Sequence, residues 1–268
     1  EFNLHLGVAH HEDNDPKTNI YTGPDAYKDL QFLWFNKKWD KTTLSLLFLN
    51  NGAAAFKTTD RQITRYTQTI GGRISQQADP VTLAGNLYFQ TGKNSTGKNV
   101  SALNLMVEAS LKNGLSAAWE HLSGNSYDKN DNVYAFNPYF GTNHKFNGSM
   151  DYFYVGNHIN SVGLQDLYLK ANYARDRFSG GADLHFFSAA ADLISSTNAV
   201  EKGDKNLGQE LDLYIGYKLA SNVTLTAGYS QYFTTESIVN LRGGSNDATS
   251  NWAWISLTFK PQFLNTGK

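Results

Sequence analysis

The 268-residue sequence contains no cysteine and only five prolines and two methionines. Without cysteine the chain can form neither disulfides nor thiolate metal sites, and it suits an oxidising envelope compartment. No stretch approaches the roughly 18 apolar residues that a membrane-spanning helix requires. The net charge of −1 shows no basic excess, so nothing in the composition indicates nucleic-acid binding. No signal peptide is recognisable at Glu1, so we expect it either removed or left out of this sequence.

What the sequence does contain is a repeated alternation of apolar and polar residues. Val223–Ser230 and Leu211–Lys218 show it clearly. Side chains of a strand point alternately to opposite faces, so each such segment has one apolar and one polar face. The gaps between the segments alternate between short and long. This combination predicts an all-β, transmembrane antiparallel β-barrel, because only alternate residues need to face lipid.

The alternation predicts about twelve strands in a single closed barrel over residues 1–268. The tight gaps contain Asp, Asn, Gly and Pro, which turns favour, as in Asn113-Gly114. We expect the turns to be periplasmic, the long loops to be extracellular and both chain ends to lie on the turn side. An alternative is that the chain is the C-terminal part of a larger barrel. The predicted strands are 1–13, 27–39, 42–51, 64–77, 81–92, 100–112, 115–125, 162–174, 177–190, 207–220, 223–236 and 251–263.

Aromatic residues make up 13% of the chain and recur near the ends of the predicted strands. Amphipathic rings prefer the headgroup level of a membrane, so this placement predicts two aromatic belts. The alternative is that aromatics are simply common in strands. The turn-side belt would contain Trp39, Tyr173, Phe178, Tyr217 and Phe259, and the loop-side belt Phe48, Phe89, Phe186, Tyr229 and Trp252.

If the apolar phase faces lipid, the charged phase faces the lumen. A lipid-facing Arg or Lys near the midplane would cost about 2–4 kcal/mol, which supports this choice of phase. Two interpretations stay open: the charges polarise an open pore, or they pair and help to fill a narrow lumen. The predicted pore-lining residues are Arg65, Arg73, Glu108, Glu120, Asp166, Lys170, Asp183, His185, Asp212 and Lys218.

One segment bears on enzymatic activity. Gly141–Gly148 resembles the Gly-x-x-His-x-Ser-Asn-Gly motif of outer-membrane phospholipase A, with His144 at the histidine position. The nucleophile position holds Phe146, and a phenyl ring cannot attack an ester. We therefore predict that the chain is not an enzyme and that it has no catalytic residues, cofactor or metal site.

Four segments lie in order along most of the chain: Tyr66–Gly72, Gly85–Lys93, Asn137–Gly156 and Val162–Leu169. Together they resemble the alginate export family of outer-membrane barrels. The resemblance implies a channel that passes an anionic polysaccharide or related solutes. The chain departs from the family's best-known barrel in having about twelve strands rather than about eighteen, and in its conspicuously acidic inner face.

The leading functional prediction is a passive, porin-like channel in the bacterial outer membrane, narrowed by the long loop Ser126–Ser161. Its partners would be membrane lipid, lipopolysaccharide and hydrophilic solutes, with anionic saccharides among them. The main alternative is a plugged, structural barrel that binds envelope proteins, and a lipid-active enzyme is a third.

Overall fold

The structure, a computed structural model, describes residues 2–11, 27–58, 61–129, 131–142, 146–158, 161–194 and 202–261. Twelve strands form one sheet in which each strand pairs with the next along the chain, and every pair is antiparallel. The predicted all-β architecture and strand number are confirmed. The strands are β1 Phe2–His10, β2 Asp29–Trp39, β3 Thr42–Thr58, β4 Arg61–Ala78, β5 Val81–Lys93, β6 Asn99–Leu111, β7 Leu115–Leu122, β8 Leu164–Arg175, β9 Phe178–Ser188, β10 Asn206–Ala220, β11 Val223–Phe233 and β12 Ser250–Phe259.

Tight turns join β2 to β3 and then every second pair of strands, as predicted. Phe2 of β1 pairs with Lys37 near the first of these turns, and Phe259 of β12 pairs with Val223 near the last. The outer ends of the first and last strands therefore lie on the turn side of the sheet.

The predicted closure of the barrel is not present among the described residues. Within that part of the chain, β1 pairs only with β2 and β12 only with β11, so the sheet keeps two edges. Side chains of both phases are exposed on these strands, as the neighbouring residues Leu4 and His5 of β1 show.

The outer face of the sheet is apolar. Exposed leucine, isoleucine, valine and aromatic side chains cover it, Ile74 and Leu213 among them. Among the described strands, its middle carries no Asp, Glu, Lys or Arg; charged residues appear only near strand ends, such as Asp29 and Arg175. So large an exposed apolar area requires a lipid environment. None of the described helices is both long and apolar enough to span a membrane.

Nine of the ten predicted belt aromatics lie on the outer face, and eight of them are within four residues of a strand end, whereas Phe48 lies in the middle of β3. Trp252 is the exception. It pairs with Ser230, whose hydroxyl donates to Asp212 on the inner face, so Trp252 belongs to the lumenal phase of β12.

Three predicted loops contain regular structure instead, and in one of them, the loop predicted at 126–161, Val155–Asn157 form a single 3₁₀ turn. The expected loop 52–63 is largely strand, because Ala53–Ala55 continue the β3–β4 ladder opposite Ile63–Arg65. The β11–β12 loop contains a short helix, α1 (Glu236–Arg242), which begins after the cap residue Thr235 and ends at Gly243, whose φ is +80°.

The apolar core lies at the loop end of β6–β11, where the long loop (residues 123–163, between β7 and β8) folds back onto the inner face. Phe136 and Phe153 of the long loop pack there with Leu164, Phe187 and Tyr232. Phe187, Leu164 and Tyr232 are at most 2% exposed. The loop is therefore anchored by apolar burial.

Candidate functional site

Strand alternation places all ten predicted pore-lining residues on the inner face of the sheet. They divide by height. Glu120, Asp166 and His185 lie in the loop-side half with the long loop, whereas Glu108, Lys170 and Asp183 lie nearer the turns, and Asp212 lies directly opposite Asp183.

The turn-side charges are compensated by neighbours across the strands. Lys170 Nζ lies 3.1 Å from Asp183 Oδ2. Arg73 Nη2 lies 3.9 Å from Glu108 Oε1, and the Tyr168 hydroxyl donates to Glu108 at 3.1 Å. Glu108 and Asp183 therefore each have a cationic neighbour, as expected if the charges of the inner face form pairs.

A row of hydrogen-bonded polar side chains runs across the inner face from these turn-side charges toward the long loop. It begins with Arg73, which donates to Asn86 Oδ1 at 3.4 Å. Asn86 donates to Asn104 Oδ1 at 2.6 Å, and Asn104 donates to Glu120 Oε1 at 2.8 Å. Alternation brings one member of each strand to the same face at similar height, so β4–β7 share one hydrogen-bonded row.

The row continues into a buried carboxylate–imidazole pair. His185 Nδ1 lies 2.9 Å from Asp166 Oδ2, and the two side chains are only 3% and 0% exposed. The His185 ring also stacks on Phe187 with 5.5 Å between centroids. A carboxylate this deeply buried needs hydrogen-bond partners, and His185 supplies one of them.

The long loop supplies the rest. Asn147 donates from Nδ2 to Glu120 Oε2 at 3.0 Å and to Asp166 Oδ2 at 3.1 Å. Because one amide group bridges carboxylates on β7 and β8, it ties the loop to both strands. Charge-assisted hydrogen bonds of this kind are about twice as strong as neutral ones.

The next residues of the loop bind a second pair of acids. The backbone N–H groups of Ser149 and Met150 donate to Glu210 Oε1 at 2.6 and 2.8 Å. Ser149 N–H also reaches Asp212 Oδ2 at 3.2 Å. Glu210 is 0% exposed, so these backbone N–H groups replace the hydrogen bonds that water would make to an exposed carboxyl group.

We call this segment, Asn147–Met150, the latch. It needs a glycine at 148, where φ is +88° and an added Cβ would lie 2.6 Å from Glu210 Oε2. Asn147 has φ +59°. After this turn the N–H groups of Ser149 and Met150 both point at the Glu210 carboxylate.

Elsewhere the long loop contacts the opposite part of the sheet. Gln90 of β5 donates to the Asn137 carbonyl at 2.6 Å and accepts the Asn137 N–H at 2.9 Å. The Phe140 ring lies 6.1 Å from that of Tyr27, just before β2. The long loop thus reaches from β7 toward the β2–β5 side.

On its return the long loop reaches the far edge. Tyr152 stacks on Tyr232 of β11 with 3.9 Å between centroids, and its hydroxyl lies 2.6 Å from Ser250 Oγ of β12. The loop therefore has contacts on both sides of the curved sheet and crosses the space between them.

His158, at the end of this return, is buried with 2% exposure. Burial, together with the nearby Arg242 charge, lowers its pKa to about 4. It is therefore neutral at physiological pH.

Two predicted residues lie away from the latch. Arg65 donates to the Ser95 carbonyl of the β5–β6 loop at 2.9 Å. Lys218 is exposed near the turn side of β10. Both lie on the inner face with the acids. Among the described residues, neither side chain forms a hydrogen bond or ion pair with the long loop.

Sequence reasoning missed Glu210 and Gln90. Both lie on the inner face: Glu210 precedes the predicted Asp212 by two, and Gln90 follows the inward-facing Tyr88 by two. Alternation alone predicts that both side chains lie on the inner face. It cannot identify the loop groups that they bind, because these are backbone N–H and C=O groups, which every non-proline residue has.

The phospholipase-like segment shows no catalytic geometry in its described part. His144 lies outside the described residues, Phe146 is 48% exposed, and Ser149 contributes its backbone N–H to the latch. Among the described residues, no cluster of three His, Asp or Glu side chains is suited to hold a metal ion.

No protein-family model matches the chain, and no curated protein matches it. Among solved structures, the chain is similar to OccK5 (OpdH) of Pseudomonas aeruginosa, with a TM-score of 0.50 and 15% identity over 96% of this chain and 68% of that one. It also resembles Pseudomonas aeruginosa OpdQ, with a TM-score of 0.48 and 12% identity over 94% of this chain and 61% of that one.

At this identity the likeness to OccK5 is evidence of fold. The chain has a porin-like outer-membrane β-barrel fold, and with its apolar exterior this fold places it in the bacterial outer membrane.

Proposed function

We propose that the chain forms a passive channel for small or oligomeric hydrophilic solutes, narrowed by the long loop. The observation that carries this proposal is the route of the loop. It is anchored to Gln90 on one side and to Glu210 and Tyr232 on the other, so it lies across the space that a solute would pass.

The mechanism is diffusion past a polar inner wall. Between the long loop and the turns, the solute would meet the side chains of Arg73, Asn86, Glu108, Tyr168 and Lys170, which lie on the inner face. Such groups can exchange hydrogen bonds with a hydrated solute while the outer face stays in lipid.

The narrower proposal, an anionic saccharide, rests on the resemblance to the alginate export family and on Arg65 and Arg73. The inner face of β6–β10 counts against it. There the carboxylates outnumber the lysines: the acids are Glu108, Glu120, Asp166, Asp183, Glu210 and Asp212, and the lysines are Lys170 and Lys218.

Planar-bilayer recording tests the channel. In one variant, residues 137–150 are replaced by a short Gly-Ser linker, which removes the Gln90 contact and the latch but keeps Phe136 and Phe153 in the core. We expect single-channel conductance to rise at least twofold, because the obstruction is gone.

A correctly folded variant with unchanged conductance would show that the loop does not narrow the path. If neither protein conducts, the plugged, partner-binding barrel replaces the channel. The variant's heat-modifiable migration on a denaturing gel serves as the folding control.

A further inference from the structure

A cavity separate from the latch lies among the extracellular loops. Its volume is about 800 Å³. The walls come from the β5–β6 loop, the start of the long loop, the β9–β10 loop and α1. Sites for small organic ligands usually occupy about 300–1,000 Å³, so this vestibule is large enough for a short oligomer.

Two asparagines of the vestibule are held in fixed orientations. Asn125 Oδ1 accepts the N–H groups of Tyr134 at 2.6 Å and Ala135 at 3.1 Å. Asn94 Oδ1 accepts the N–H of Lys98 and the hydroxyl of Thr96, both at 2.9 Å.

A backbone N–H can only donate, so these contacts identify which side of each amide is oxygen. The Nδ2 groups of Asn94 and Asn125 are therefore donors, and within the described residues they donate to no protein atom. The vestibule thus holds two pre-oriented donors suited to the oxygens of a ligand.

The charges of the vestibule do not favour an anion. Lys202 Nζ lies 2.5 Å from Asp192 Oδ2, and Lys205 Nζ lies 2.8 Å from its other oxygen. These lysines lower the pKa of Asp192 to about 2, so it stays ionised and offsets one of their two positive charges. The other charged lining residues are Asp204, Glu236 and Lys98, which leave no positive excess.

The vestibule also has apolar walls. Val133 and Leu193 are buried at 8% and 5% exposure, while Ile194 and Leu241 are about half exposed at 49% and 40%. Tyr127 adds an aromatic ring to the lining. Fixed amide donors beside aliphatic and aromatic surface match the hydroxyl edges and C–H faces of a sugar ring.

We propose that the vestibule binds neutral oligosaccharides before they enter the channel. This inference rests on the proposed function and names its solute class: uncharged saccharides rather than uronates.

Isothermal titration of the detergent-purified full chain tests the proposal with maltotriose and with trigalacturonate, an anionic trisaccharide. We expect maltotriose to bind at least tenfold more tightly than trigalacturonate. Asn240→Trp should weaken maltotriose binding at least tenfold, because Asn240 lines the cavity on α1 and the indole would occupy it. Ala248→Trp, on the same loop but outside the cavity, should change it less than twofold.

Asn125→Asp is a finer test, because Asp keeps the oxygen that accepts the Tyr134 and Ala135 N–H groups but loses the Nδ2 donor. We expect a three- to tenfold loss of maltotriose affinity without loss of fold. Equal affinity in all variants would overturn the proposal, as would tighter binding of trigalacturonate.

Conductance recorded on the same preparations separates this proposal from the channel function. A protein that conducts ions but does not bind maltotriose refutes the vestibule proposal alone. A protein that binds maltotriose in the vestibule but does not conduct refutes the channel, and it leaves a saccharide-binding outer-membrane barrel.

Discussion

At the residue scale, the latch depends on a glycine. Gly148→Ala would force an alanine to adopt φ +88° and would place its Cβ 2.6 Å from the Glu210 carboxylate. A left-handed conformation costs a non-glycine residue of order 1–3 kcal/mol, and the steric contact adds to that. We expect proteinase K to cleave the long loop of the reconstituted variant at least tenfold faster than in the parent.

Gly244→Ala is the matched control for this substitution. Gly244 also has a positive φ, +101°, but an added Cβ there would meet nothing within 4 Å. An equal rise in long-loop cleavage in both variants would mean that the effect is not specific to the fit of Gly148 against Glu210.

Glu210 itself provides a second residue-level prediction. Glu210→Ala leaves the N–H groups of Ser149 and Met150 without their acceptor, and an unsatisfied buried donor costs about 1–3 kcal/mol. Glu210→Gln keeps an oxygen that accepts both. We expect loop cleavage and conductance to rise strongly in the alanine variant and only slightly in the glutamine variant. Identical behaviour of the two would show that the charge, and not the acceptor oxygen, holds the latch.

These residues also mark what sequence patterns can and cannot predict. Alternation predicted the inner face for Glu120, Asp166 and Asp212, because a strand's period is fixed by backbone geometry. It could not predict that Asn147 would bridge two of them, because that contact depends on the path of a loop with no repeating pattern.

At the element scale, the strands were predictable where a lipid-facing phase imposed alternation. The full length of the β3–β4 hairpin was not predictable, because its loop-side end extends beyond the membrane. Its strands have 17 and 18 residues, or about 55–60 Å at 3.3 Å per residue, against a hydrocarbon thickness of about 30 Å. Outside lipid nothing requires an apolar phase, so Ala53–Ala55 looked like a loop.

The long loop is the element whose stability should depend on pH. The pKa of His158 is about 4 in the folded protein, against about 6.5 when the residue is solvated, so between these values the unfolded loop binds more protons than the folded one. Stability contributed by neutral His158 is therefore complete above pH 6.5 and is lost as the pH falls toward 4. The loss is at most about 3 kcal/mol.

Proteinase K cleavage of the loop, measured from pH 7 to pH 4.5, would show this dependence. His158→Gln cannot titrate in that range, so the variant should lack the part of the pH dependence that comes from His158. Superimposable profiles for the two proteins would assign the whole dependence to other groups.

At the scale of the whole molecule, the balance of charge on the inner face sets ion selectivity. We expect a weak preference between anions and cations, because Arg65 and Arg73 are offset by acids on later strands and salt screens both. Arg73→Ala should move the reversal potential in a KCl gradient toward cation preference, since it also leaves Glu108 without its cationic neighbour.

Arg175→Ala is the matched control, because Arg175 is exposed at a turn and, in the part of the chain that the structure describes, forms an ion pair only with Asp176. A strongly anion-selective parent protein would mean that the lumenal acids are electrostatically silent, and the anionic-saccharide proposal would gain.

Among the described residues, the sheet has two unpaired edges, β1 and β12. Along β1 and β12, alternate residues direct N–H and C=O groups away from the neighbouring strand, and no described strand accepts them. In hydrocarbon each unsatisfied backbone group costs several kcal/mol, so an open edge over nine or ten residues would outweigh the whole net stability of a typical domain. We therefore expect both edges to be paired when the protein is in a bilayer.

Nuclear Overhauser contacts between backbone protons, measured in lipid nanodiscs, would test this directly. Phe2–His10 and Ser250–Phe259 should each show cross-strand contacts on two sides, as β6 does with β5 and β7. Contacts between β1 and β12 themselves would mean that the twelve strands close alone, whereas contacts to other strands would identify a larger barrel or a second copy. Contacts on one side only would contradict the expectation, because the membrane would then be tolerating an open edge.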